Sequence, residues 1–260
     1  MWKWVALLAL TTASPLTAAE PARILAVFAH PDDEIVVAPA LAAAARDGAQ
    51  VRIVYATAGD AAAPHTDLAP GPAIAAHRTA EARCASAALG AGEPIMLGLG
   101  DGKLGEITRP PAATLARLRE AIAGVMASEK PDVVVTWGPD GGYGHPDHRL
   151  VSAVVTELVA GRTQRPMLLQ AAFQTGQLPP VPELQRWATV APDLITVRVR
   201  YTPADLAASA KAVQCHASQF DAPTRAGLVP LFAGSVWKDG VAFRAPLDPA
   251  ANDSLLALKR

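Results

Sequence analysis

Apolar runs too short to be helices recur along the chain and alternate with helix-length, Ala-rich segments. Ile24–Ala29 (ILAVFA) is the first. Val51–Thr57, a stretch within Pro94–Leu99, Asp132–Trp137, Leu168–Gln174 and Leu194–Val199 follow. A run without polar alternation belongs to a strand buried on both faces. Between them, Ile35–Asp47, Ala73–Leu89, Pro111–Ser128, Asp147–Ala160 and Ala204–Phe220 read as helices. Gly48 and Gly90 stop the first two. Pro111 stands near the start of the third, where Leu115, Leu118, Ile122 and Val125 recur at helical spacing. This alternation predicts an α/β protein, a Rossmann-like three-layer fold around a mainly parallel sheet. The last forty residues read as irregular. No linker or repeat divides the chain, so 20–260 is expected to be one domain.

Residues 1–19 are set apart. Lys3 precedes a short apolar stretch from Trp4 to Leu10, and small residues follow, ending Thr17-Ala18-Ala19. That is the form of a secretory signal peptide, cleaved after Ala18 or Ala19. It is too short to span a bilayer comfortably. The expected location is therefore secreted or periplasmic, with no membrane attachment after cleavage. The 260 residues carry 23 basic and 24 acidic side chains, a net charge of −1. That balance offers nucleic acid no electrostatic footprint. Cys84 and Cys215 are too few for a disulfide scaffold and form no metal knuckle. An oxidising compartment would allow them to pair, and two separate thiols fit equally well.

Two short motifs carry the chemistry. Ala29-His30-Pro31-Asp32-Asp33-Glu34 follows the first strand, and Gly144-His145-Pro146-Asp147-His148 follows the fourth. Both lie at carboxyl ends of expected parallel strands, where open α/β sheets bind ligands. His30 and Asp33 share an i, i+3 spacing, as do His145 and His148, so each pair converges on one face as a helix begins. A hydrolytic zinc site takes about three N/O ligands and keeps an open position. His30, Asp33 and one later histidine, preferably His148, supply them. Asp32 is then free as general base, and His145 as acid or oxyanion donor. Asp147 could hold that histidine charged. Glu34 reads as no more than a first-turn helix charge.

These motifs, with the longer VVVTWGPDGGYGHPDHRL, resemble the PIG-L/LmbE family of zinc-dependent N-acetyl-sugar deacetylases. Arg78-x-x-Glu81 with Ala88-Leu89-Gly90, Leu99-Gly100-Asp101-Gly102 and Lys211…His216-Ala217-Ser218-Gln219 resemble further family segments in order. The likeness covers roughly 23–220 and is thin beyond. It implies an LmbE-like fold, zinc (or exchanging ferrous iron) on His30, Asp33 and His148, and Asp32 as base. It implies that His145 stabilises the tetrahedral intermediate and protonates the amine, tuned by Asp147. Arg78, Asp101 and His216 would touch substrate. The implied reaction is removal of acetyl from an N-acetylglucosaminyl-type small molecule.

Other readings compete. A zinc amidohydrolase for a non-sugar amide would use the same residues. Two histidines and a carboxylate are also the ligand set of non-haem iron enzymes, against which the parallel α/β pattern and the spare Asp32 argue. A relict sugar-binding site would be expected to lack Asp32 or His145, and both are present. Gly100–Gly105 spells GxGxxG, but no helix opens there to meet a pyrophosphate. His65 and His77 lack ligand spacing, and Trp137 reads as a packing residue. The Pro-rich segments 59–72 and 175–193 are expected to rim the site.

Overall fold

The computed structural model describes residues 20–106 and 113–247. The signal-type segment 1–19 and Pro111 lie outside the described residues. The strands are β1 (Arg23–Phe28), β2 (Gln50–Thr57), β3 (Ile95–Leu99), β4 (Val133–Thr136), β5 (Met167–Ala171), β6 (Val197–Val199) and β7 (Val241–Arg244). The helices are α1 (Ala38–Arg46), α2 (Pro72–Ala88), α3 (Ala113–Glu129), α4 (Pro146–Ala160), α5 (Pro203–Cys215) and α6 (Ala222–Ala233). One sheet runs β3-β2-β1-β4-β5-β7-β6. Its first five strands are parallel, and β7 pairs antiparallel with both β5 and β6.

Side chains of β1 alternate between two cores, as strand geometry requires. Leu25 and Val27 meet Leu118, Ile122, Met126, Val151 and Val155 from α3 and α4. Ala26 and Phe28 join Leu41, Ala82, Val213 and Phe232 from α1, α2, α5 and α6 on the opposite face. This is the expected three-layer α/β fold. From β1 the chain moves outward through β2 and β3, then returns to place β4 on the other side of β1. The carboxyl ends of β1 and β4 therefore flank a topological switch point, where such sheets leave a crevice.

The structure corrects several boundaries. Asp33–Val37 is a 3-10 turn, and α1 begins at Ala38 rather than Ile35. β5 ends at Ala171, and α5 ends at Cys215 rather than Phe220. From 221 to 247 the chain is not irregular. It supplies α6, capped by the Asp221 side chain, and β7, which lies between β5 and β6. Pro223 and Pro230 disguise α6 in the sequence, and β7 is four residues whose only partners are distant. Cys84 of α2 and Cys215 of α5 form a disulfide, with their Cα atoms 5.8 Å apart across 131 residues of sequence.

Candidate metal centre and active site

The first motif leaves β1 in a tight turn folded around its own carboxylate. Asp33 Oδ2 accepts the backbone N–H groups of Ala29 (2.9 Å) and His30 (3.0 Å). Its other oxygen faces His148 Nε2 at 3.1 Å. His30 Nδ1 lies 3.1 Å from the same His148 nitrogen and 3.9 Å from Asp33 Oδ2. His148, on the first turn of α4, is fully buried. The Trp137 indole stacks on its ring at 4.6 Å, and its Nδ1 meets the Gly141 carbonyl at 3.1 Å. The Gly141-Gly142 turn that offers this carbonyl has φ of 69° and 72°. A Cβ on Gly142 would lie 2.7 Å from the Trp137 ring, so only glycine fits there.

The donor set fits a metal ion. His148 donates through Nδ1 to a carbonyl, which leaves Nε2 as a bare lone pair. His30 Nε2 faces Asp101 Oδ1 at 2.9 Å and Asp147 Oδ2 at 3.4 Å, so the proton belongs there and Nδ1 is bare. Two bare nitrogens 3.1 Å apart beside a carboxylate oxygen repel one another unless a metal ion or a shared proton joins them. Ligands of tetrahedral zinc at about 2.0–2.1 Å stand roughly 3.3 Å apart, close to these separations. Burial depresses the His30 imidazole, but the carboxylates of Asp101 and Asp147 outweigh it and carry its pKa to about 10, so without an ion a proton holds the Nδ1 position that a metal would take. Burial raises Asp33, yet His148 and His30 hold it below the ordinary carboxylate range.

Asp32 stands between the ligands with its backbone at φ 104°. Its N–H donates to Glu34 Oε2 at 3.0 Å, and its carboxylate lies 3.3 Å from the Arg78 guanidinium. Burial lifts the Asp32 pKa to about 6 against the pull of Arg78. Glu34 is fully buried and is no surface charge at a helix start. Its carboxylate also accepts the Tyr55 hydroxyl (2.8 Å) and meets His216 Nε2 at 2.6 Å. Burial opposes charge on both partners, but each outweighs it for the other, so Glu34 is lowered and His216 raised.

Four expected roles change. The Asp147 carboxylate makes its hydrogen bonds to Gly102 N–H, at 2.8 Å, and His30 rather than to His145, and its charge raises the His145 imidazole by less than burial and the neighbouring His148 and His30 lower it. Only the Asp147 backbone N–H reaches His145, donating to Nδ1 at 3.2 Å. His145 is therefore an acceptor at Nδ1, with Nε2 as its proton carrier. Asp101 bonds His30 instead of presenting itself to substrate. Arg78 is 3% exposed and is spent on the carbonyls of Pro31 and Gly59 and on Asp32. His216 is fully buried on Glu34 and cannot touch substrate. Sequence spacing placed these side chains near the centre but not the direction each one faces.

Both expected rim segments reach the centre. Ala61 N–H donates to Asp101, and Gly59 O accepts from Arg78, while Trp187 and Leu184 stand near Asp32. The GxGxxG turn anchors Asp147 through Gly102. His77 pairs with Glu81 at 3.4 Å and stays outside the ligand cluster. Tyr143, half exposed and edge-on to His145 and His148, immediately precedes the second motif, where nothing in the spacing marks it. Trp187 carries no motif at all.

A profile of the family PIG-L, described as GlcNAc-PI de-N-acetylase, matches residues 25–159. A 1D-myo-inositol 2-acetamido-2-deoxy-alpha-D-glucopyranoside deacetylase of Nakamurella multipartita is 38% identical over 157 residues, covering 52% of this chain and 54% of its own. The Corynebacterium urealyticum protein of that description is 32% identical over 248 residues, covering 78% of this chain and 72% of its own. The chain spans about half the length of several of the curated relatives it matches. Among solved structures, N,N'-diacetylchitobiose deacetylase from Pyrococcus horikoshii superposes with a TM-score of 0.66 at 20% identity, covering 86% of this chain and 84% of that one. At that identity the likeness is one of fold.

Proposed function

Because this chain belongs to the PIG-L family, we propose that it is a metal-dependent N-deacetylase that hydrolyses an N-acetylglucosaminyl-type small molecule to acetate and a free amine. The observation that carries the reading is the bare-nitrogen pair of His30 and His148 closed by Asp33, with Asp32 and His145 beside it. His30, Asp33 and His148 would hold zinc or ferrous iron. When bound, the ion supplies Lewis-acid polarisation of the amide carbonyl and a water of lowered pKa.

The rest of the chemistry belongs to the chain. Asp32 accepts the proton of the attacking water, and Arg78 keeps its carboxylate oriented. His145, with Nδ1 occupied by the Asp147 N–H, donates a hydrogen bond from Nε2 to the oxyanion and keeps its proton, and the proton that Asp32 took from water passes to the departing nitrogen. Asp101 and Asp147 orient His30, and Gly141 orients His148, as outer partners of a metal site commonly do. The sugar part of the reading is supported by the family description and by the relatives' names.

We also propose export. Its support is the signal-type segment 1–19 and the Cys84–Cys215 disulfide, a bond that persists in oxidising compartments.

The deciding experiment measures acetate released from N-acetylglucosamine, its short oligomers and N-acetylglucosaminyl conjugates by the zinc-loaded protein. Release that disappears in Asp32→Ala, with one zinc per chain retained, is the expected result. No acetate from any of these compounds, with zinc bound, would move the search to non-sugar amides.

A further inference from the structure

Asp32 and Asp33 also form the floor of an apolar cavity of about 220 Å³. Its walls include Trp137, Tyr143, Trp187, Phe220, Leu228 and Phe232. Neither His145 nor Arg78 nor Asp101 belongs to them. The centre is thus two-sided, with hydrogen-bonding groups on one flank and aromatic and aliphatic carbon on the other. The apolar wall is built in advance. Trp187 packs against Phe173 (4.8 Å), Tyr143 (5.9 Å) and Phe232 (6.2 Å). Such a rigid, concave, mostly apolar lining is the usual form of a small-molecule pocket.

The two halves of an amide substrate differ in the same way. A sugar placed against this wall would leave buried hydroxyls without partners, at a cost for each. His30 and His148, like His145, do not line the cavity, so an amide at the ligand cluster would meet it at its Asp32 and Asp33 end. With the sugar on the hydrogen-bonding flank, the acyl side of the scissile bond would face the apolar one, and a single methyl group fills little of it.

We infer that this cavity seats an apolar N-acyl chain longer than acetyl, which makes the protein a deacylase of N-acyl amino sugars rather than a strict deacetylase. The inference rests on the hydrolytic reading above. Water adds across the C–N bond, the hydroxyl goes to the acyl carbon and the proton to nitrogen, and a longer carboxylate leaves in place of acetate.

The test compares N-acetyl-, N-butanoyl-, N-hexanoyl- and N-octanoylglucosamine on the zinc-loaded full chain, with amine release as readout. kcat/KM is expected to rise about fourfold per added methylene until the cavity is full, the gain for one buried CH₂. Leu228→Trp, which fills the cavity, is expected to lower the hexanoyl-to-acetyl ratio at least about tenfold. A kcat/KM that falls from acetyl onward, or a ratio unmoved by Leu228→Trp, overturns the inference and leaves the deacetylase reading standing. A second readout needs no turnover. Trp137 and Trp187 line the cavity, so their fluorescence should report hexanoate binding to the wild type at least about tenfold tighter than acetate. Equal affinities would overturn the inference even if no amide were hydrolysed, and that absence of hydrolysis would sink the hydrolytic reading separately.

Discussion

Asp32 holds a backbone conformation that costs a non-glycine residue on the order of 1–3 kcal/mol. Glu34 accepts its N–H, Arg78 pairs with its carboxylate, and both are buried among fixed partners. The strain is held where the proposed base must point at the ligand cluster. Asp32→Asn should lower kcat/KM about a hundredfold to ten-thousandfold, the usual worth of a positioned general base. Elemental analysis should still find one zinc per chain. Glu34→Gln leaves His216 without its buried counter-charge and should cost on the order of 3–5 kcal/mol in urea unfolding. Tyr55→Phe, which removes one hydrogen bond to the same charged carboxylate but leaves the ion pair, should cost less, about 1.5–3 kcal/mol. Equal losses from the two would mean that Glu34 and His216 are not an ion pair. For His148, free zinc at about a hundredfold over its Kd should stabilise the wild type by roughly 2.7 kcal/mol. His148→Ala should lose that increment, and a zinc-dependent melting shift that survives the substitution would remove His148 from the ligand set.

The elements around the centre are fastened by long-range ties. α2 carries Arg78 and Glu81, α5 ends at Cys215 and is capped by His216, and the disulfide joins the two helices. Glu81 accepts the Ser218 N–H and hydroxyl, which fixes the turn that follows α5. A cross-link closing a 131-residue loop restricts the unfolded chain strongly. The Cys84→Ser/Cys215→Ser double substitution should therefore cost about 2–5 kcal/mol in denaturant unfolding. Treatment with a reductant should reproduce the loss in the wild type but not in the double variant. α6 and β7 were hidden because their signals are weak locally. Pro223 falls in the first turn of α6, where proline is tolerated, and Pro230 lies inside it. β7 is specified by its antiparallel neighbours rather than by its own four residues. Without α6, Leu228 and Phe232 would not close the apolar side of the site.

Seen whole, the molecule gathers its chemistry at one end of a seven-stranded sheet, where the chain switches from one side of β1 to the other. Among the described residues no helix is long and apolar enough to cross a membrane. The proposed export makes a direct prediction, that protein recovered from the periplasm or medium of its host begins at residue 19 or 20. A chain that retains Met1 inside the cell would refute it. The parallel sheet, and the meeting of His30, Asp33 and His148, the proposed ligands, at the ends of β1 and β4, were legible in linear order. Burial on two faces demands continuous apolar runs, and a helix start brings i and i+3 together, so these features are written in local spacing. The partners of Arg78, Asp101, Asp147 and His216 were not. Each of these groups can serve a substrate or a neighbouring residue equally well, and the choice depends on which side chains from distant segments lie within hydrogen-bond or ion-pair reach. The apolar flank has the same origin, because its walls come from segments as far apart as Val36 and Phe232. Contacts local in sequence are encoded by pattern, whereas contacts across nearly two hundred residues exist only once the sheet has brought its helices together.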